Sequence, residues 1–179
     1  MITEYFVDLP QIIHRHKQDD PKRGEKIELA LRNYFLSVAD SVRLTNKVIT
    51  LFKLGFPMVK QIGGPKDKIF HESLKVLESD FIKKTTDNEL YFVEQGGNKT
   101  FDHYFYRLSP RIKDKIHKTW LFWLSDSPEF YGFEDPAFYQ GDRLVGYVVS
   151  HETYVTLVLS DEDANKLEHQ GVELLESKF

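Results

Sequence analysis

Apolar residues recur at spacings of four and three through Leu31, Phe35, Val38, Val42, Ile49 and Phe52, with Thr45 filling the gap. Glu28, Arg32, Asp40, Arg43 and Lys47 fall on the opposite side. This pattern predicts one long amphipathic N-terminal helix from Glu25, of roughly 28 residues and about 40 Å. Gly55 and Pro57 supply its stop, and a break fits near Ala39 to Ser41. Ahead of it, residues 14–26 are entirely polar and contain Pro and Gly, which reads as a solvated loop after a short N-terminal segment. Phe70, Leu74, Leu77 and Phe81 repeat the helical spacing and mark a second helix, opened by Gly63-Gly64-Pro65 with the proline suited to its first turn.

Beyond residue 90 the period shortens to two. Residues 90–95 and 101–108 read as strands joined by a Gly96-Gly97-Asn98-Lys99 hairpin loop. Ser109-Pro110 opens a short helix over 110–117. The run 119–124 is continuously apolar and suits a central strand. Residues 143–149 and 153–159 are two further strands around a turn at 150–152. Ser160 followed by acids starts a helix over 161–170 that Gly171 ends, and 172–175 adds an edge strand. Helices come first, then a mostly antiparallel sheet of about five strands, so the expected fold is a single α+β domain spanning residues 1–179.

Composition narrows the chemistry. Apolar residues make up 41% and charged residues 29% of the 179, ordinary for a globular chain. With no cysteine, disulfides, thiolate metal sites and cysteine nucleophiles are excluded. A net charge of −4 argues against general nucleic-acid binding. The N-terminus lacks the basic start and long apolar run of a signal peptide, and no apolar run reaches the roughly 18 residues of a membrane helix. A cytoplasmic protein without a membrane or nucleic-acid partner is the expectation.

Motifs for cofactors are absent in the strict sense. Gly63-Gly64-Pro65-Lys66 loses an amide to its proline, and Gly96-Gly97-Asn98-Lys99-Thr100 lacks the full phosphate-loop spacing, so both are turn chemistry and no cofactor is expected. His14 and His16 would point one way on an extended strand and form half of a metal site with Asp19 or Asp20. Without a third distant ligand they read as part of the polar loop, and no metal is expected. Arg111, Lys113, Lys115 and Lys118 form a basic cluster on a helix buried through Ile112 and Ile116, which reads as its solvated face.

One stretch stands out. Residues 119–142 carry no lysine or arginine, five acids and eight of the chain's 25 aromatics. From 125 to 142 prolines and glycines punctuate it into an ordered aromatic–acidic loop. Glu129, Phe130, Tyr131, Glu134, Asp135, Phe138 and Tyr139 are its candidate binding residues, since aromatics dominate interface hot spots and acids attract cationic partners. Alternatively Phe130, Phe133 and Phe138 fold inward as a lid on the core. The first expectation is a small protein-binding module recognising a basic partner, either a regulatory adaptor or an inhibitor of the immunity type. That kinship is of kind only: small, cysteine-free, mildly acidic and without a catalytic motif. The alternative is a small-molecule-binding protein or hydrolase whose pocket the same loop walls, with Glu134, Asp135, His151 and Glu152 as acid–base groups. The spacing from Leu31 to Phe52 also fits a heptad seam, and so a homodimer.

Overall fold

The computed structural model describes residues 2–16, 19–46, 48–53, 56–61, 67–87, 101–150 and 152–177. The chain opens with β1 (Ile2–Asp8), α1 (Leu9–His16) and α2 (Arg23–Val38), followed by strands β2 (Ser41–Asn46), β3 (Val48–Lys53) and β4 (Phe56–Gln61). Then come α3 (Lys68–Leu77), β5 (Phe81–Asp87), β6 (Phe101–Arg107) and α4 (Pro110–His117). Two 3₁₀ segments, Leu121–Asp126 and Pro128–Phe130, lead into β7 (Phe133–Gln140). The chain ends with β8 (Arg143–Val149), β9 (Tyr154–Ser160), α5 (Asp161–His169) and β10 (Leu175–Glu176). The fold is α+β. Its centre is an eight-stranded antiparallel sheet in the order β10-β1-β9-β8-β7-β2-β6-β5, and β3–β4 form a separate two-stranded hairpin.

Register divides the sheet into two chemically different faces. Val42 lies opposite Tyr106 and Phe138, and Leu44 opposite Tyr104, which sets an apolar row across β6, β2 and β7. On this side Phe35 of α2 stacks on Phe138 at 4.4 Å, and Phe70 of α3 meets Phe133 and Tyr104 edge-on at 5.1 and 6.0 Å. The core sits here. The other face carries Arg43 opposite Phe105 and Ala137, Thr45 opposite His103, and Tyr147 opposite Thr156. Arg43, Thr45, His103 and Thr156 are nonetheless buried, and the Thr45 hydroxyl and His103 Nδ1 lie 3.0 Å apart in a hydrogen bond.

Several expectations need correction. The long N-terminal helix ends after 16 residues, and Ala39 caps it in an extended conformation. The break thus falls at the Ala39–Ser41 junction. Strands β2 and β3 replace the rest of that helix, because Val42 and Leu44 alternate with Arg43 and Thr45 at period two and because β-branched residues recur through Ile49 and Thr50. The heptad seam goes with it. The sheet of about five strands is one of eight, and β1 pairs with β9 from the far end of the chain. Residues 119–124 form no strand, and a 3₁₀ segment starts at Leu121, while the part of the expected 125–142 loop from Phe133 to Gln140 is the strand β7. Residues 9–16 form α1, so positions 14 and 16 lie on a helix and not on an extended strand. The first expected strand (90–95), its hairpin loop and the opening of α3 at 63–65 lie outside the described residues.

Other elements stand where their caps place them. Ser109 accepts from the Ile112 amide at the start of α4, and Ser160 accepts from the Asp163 amide at the start of α5. Asp67 accepts from the Ile69 and Phe70 amides and so fixes the start of α3.

Candidate functional site

A side chain every third position faces outward on the segment after α4. Trp120 is 39% exposed and Trp123 47%, and Asp126 continues the row, while Leu121, Phe122 and Leu124 are buried. Three residues per turn is the period of a 3₁₀ helix, in which positions i and i+3 eclipse. The segment is not regular: Trp123 departs to φ −128°, ψ 47°. The two indole rings lie 5.6 Å apart with their planes 34° from parallel. Two neighbouring half-exposed tryptophans on a surface are unusual, since large rings gain from burial.

A buried ion pair on α2 holds this segment in place. The Glu28 carboxylate accepts the Leu121 amide at 2.8 Å, and Arg32, one turn on, donates to the Thr119 carbonyl. Glu28 and Arg32 are themselves 3.3 Å apart and nearly sealed from water. The peptide groups on both sides of Trp120 are therefore fixed from below. Burial raises the Glu28 carboxyl above its ordinary value, against the opposing pull of the Leu121 amide and the Arg32 guanidinium. At the far end the Ser73 hydroxyl of α3 donates to the Pro128 carbonyl at 2.8 Å. Gly132, at φ +84°, makes the turn into β7, and a Cβ there would stand 2.6 Å from the Phe70 ring.

The tryptophans wall a groove of about 610 Å³ that Lys115, Ser127 and Glu129 complete. Its charges are largely spoken for. Lys115 binds Glu129 at 3.0 Å, and Lys118 binds Asp114 at 2.7 Å. The Ser127 hydroxyl and then Lys115 draw the Glu129 carboxyl down to about 2. Asp126 alone among the acids of the groove has no side-chain partner among the described residues. Two aromatic faces and one carboxylate remain available. That combination suits stacking and cation binding. The Ser127 hydroxyl in the groove donates to the Glu129 carboxylate.

The residues expected to bind divide between inside and outside. Phe130 and Phe138 are buried, as is Phe133, which removes them from any contact surface. Tyr131 packs against the core, and Tyr139 is half-buried with its ring 6.0 Å from Phe105. Glu129 is in the groove, held by Lys115. Asp135 is buried at φ +51°, where its carboxylate accepts the Ser150 amide at 2.8 Å and its own amide donates to the Ser150 hydroxyl at 3.1 Å. It is a staple between β7 and the end of β8. Glu134 lies opposite Thr45 on the polar face of the sheet. Glu152 is exposed in the β8–β9 turn and close enough to Tyr154 to help push that phenol up to about 12, after burial and Tyr147. His151 lies outside the described residues. His14 is exposed on α1, and no group of three or more His, Asp or Glu among the described residues is placed to hold a metal.

Sequence reasoning missed Trp120, Trp123 and Asp126 as a surface row, and missed Glu28 and Arg32 as its support. The available signal was the spacing itself, Trp-x-x-Trp-x-x-Asp. No protein-family model, curated protein or solved structure matches this chain. Among the described residues no helix is long and apolar enough to cross a membrane.

Proposed function

We propose that this protein is a binding module for a basic protein partner, engaged through the Trp120–Trp123 groove. The observation that carries the reading is the pair of half-exposed tryptophans held by the buried Glu28–Arg32 clamp, next to Asp126, which has no side-chain partner among the described residues. Tryptophan anchors contribute most when they are ordered before the partner arrives, because little rotamer freedom is then lost on binding. An arginine or lysine laid on the indole faces gains cation–π attraction and finds its counter-ion in Asp126. The mild negative charge of the chain favours approach of such a partner. A regulatory adaptor, or an inhibitor that neutralises a basic protein, fits this chemistry.

The test is capture from lysate of the source cell, followed by direct titration of whatever is captured. The reading predicts a basic partner that binds the wild type and weakens at least tenfold between about 50 and 300 mM salt. It also predicts that Trp123→Ala combined with Asp126→Asn releases the partner while the fold stays intact by circular dichroism. A partner of acidic character, or one indifferent to both substitutions, overturns it.

A further inference from the structure

Three carboxylates line the tryptophan groove, Asp114, Asp126 and Glu129, against two lysines, Lys115 and Lys118. Lys118 holds Asp114 at 2.7 Å and Lys115 holds Glu129 at 3.0 Å. The exposed Asp126 is left as the lining carboxylate that no lining lysine balances. Such a groove is complementary to a single positive charge: it repels an anion and gives a second cation nothing to pair with. Resting on the reading that a basic partner docks here, we infer that the groove takes one arginine of that partner in preference to lysine. The guanidinium lies flat on an exposed indole and forks onto Asp126.

Shape decides between cations. The indole centroids are 5.6 Å apart, with their planes 34° from parallel. A flat group held between two rings needs about 7 Å, twice the van der Waals separation of roughly 3.5 Å. No such group fits between these rings, so a ligand lies on the surfaces that Trp120 and Trp123 leave in water. An open platform does not surround a rounded quaternary ammonium as an aromatic cage does. It suits a planar group that covers the indole with its own face. A guanidinium lying so keeps its N–H donors in its own plane, pointing past the ring edge, where a carboxylate accepts two of them. Asp126 lines the same groove as both rings. A lysine ammonium is compact and strongly hydrated, and it gives up more water to sit on the ring. Glu28 and Arg32 already hold the Leu121 amide and the Thr119 carbonyl, so the backbone on both sides of Trp120 is set before the partner arrives.

The probes are blocked pentapeptides with arginine, lysine, trimethyl-lysine or citrulline between Gly-Ser and Ser-Gly, citrulline being the planar neutral counterpart of arginine. Each is titrated to about 20 mM at fixed ionic strength into the ¹⁵N-labelled full chain, since one anchor residue is expected to bind in the low millimolar range. The chain has two tryptophans, both in the groove, so the two indole N–H signals report on it directly. The expected result is saturable indole shifts with the arginine peptide, binding about threefold or more weaker with lysine and trimethyl-lysine, and none with citrulline. Asp126→Asn should weaken the arginine peptide by about threefold and bring it level with lysine. Lysine or trimethyl-lysine binding as tightly as arginine, or arginine binding unchanged in Asp126→Asn, overturns the inference and leaves the broader reading of a groove for a basic partner standing. No saturable shift with arginine also overturns the inference, and the capture experiment then decides the broader reading by itself. Citrulline binding as well as arginine overturns both, because charge would then play no part in the groove.

Discussion

Two neighbouring aromatic segments of this chain have opposite fates. In Trp120–Asp126 the two tryptophan rings are half in water while Phe122 is buried, whereas in β7 both Phe133 and Phe138 face the core. Composition does not distinguish them. Backbone geometry does: β7 is paired on both sides, and a register shift against β2, beside Asp135 at φ +51°, lets Phe133 and Phe138, five residues apart, both face the core. The 3₁₀ segment pairs with no strand, turns every three residues, and uses Leu121, Phe122 and Leu124 as its anchors. A ring is thus available for binding because of the backbone geometry and pairing of its segment, not because aromatics are dense around it.

The sharpest way to break this comparison is to truncate one ring from each segment. Phe138→Ala removes a fully buried ring stacked on Phe35 and should cost about 3–5 kcal/mol in urea unfolding. Trp123→Ala should cost only about 1 kcal/mol, since half of the ring is already in water. Comparable losses at the two positions would mean that Trp123 belongs to the core and would remove the premise of the groove.

The clamp beneath the tryptophans is the next largest effect. Glu28→Ala leaves the Arg32 guanidinium without its carboxylate and the Leu121 amide without an acceptor, at a cost of about 3 kcal/mol. It should also loosen Trp120, seen as a red-shifted, less anisotropic tryptophan emission. A loss of stability with unchanged emission would show that Glu28 supports the core without positioning the ring.

How much of this was legible in the chain depends on whether one local signal decided the outcome. Ser109 and Ser160 announce α4 and α5 by capping chemistry that needs no distant partner, and β8 and β9 are close enough in sequence to be read together. Residues 42–52 carried two compatible periods, and only pairing of β2 with β6 and β7 selects the strand. β1 was invisible for a related reason: its partner β9 lies some 150 residues away, as in the Thr3–Leu159 pair. The site was legible only in part. Aromatic and acidic density pointed to the right neighbourhood, but Glu28 and Arg32 meet Leu121 and Thr119 across roughly 90 residues of chain, a relation no local pattern carries.

A smaller prediction concerns the buried Tyr106 hydroxyl of β6. Tyr106→Phe deletes a buried hydroxyl with no partner among the described residues and keeps the ring, so stability should rise by about 1 kcal/mol. A fall of that size would mean that the hydroxyl is satisfied in solution.

The smallest effect contrasts the two carboxylates that frame the tryptophans. Glu129 is drawn down to about 2 by Ser127 and Lys115, so it favours the folded state above the unfolded value of about 4.3. That contribution is lost as pH falls through the window between the two. Glu28 is shifted the other way by burial: it binds its proton more readily when folded, so its contribution is present at low pH and declines as pH rises through its raised value. Urea unfolding of Glu129→Gln and Glu28→Gln from about pH 2 to pH 7 should therefore give difference curves against wild type of opposite slope. The Glu129 step should stay below about 1 kcal/mol, because the Lys115–Glu129 pair is partly open to solvent. Two curves of the same slope would mean that Glu28 is ionised on favourable terms in the folded state. The clamp under Trp120 would then be an ordinary ion pair, and burial would no longer account for the raised value of Glu28.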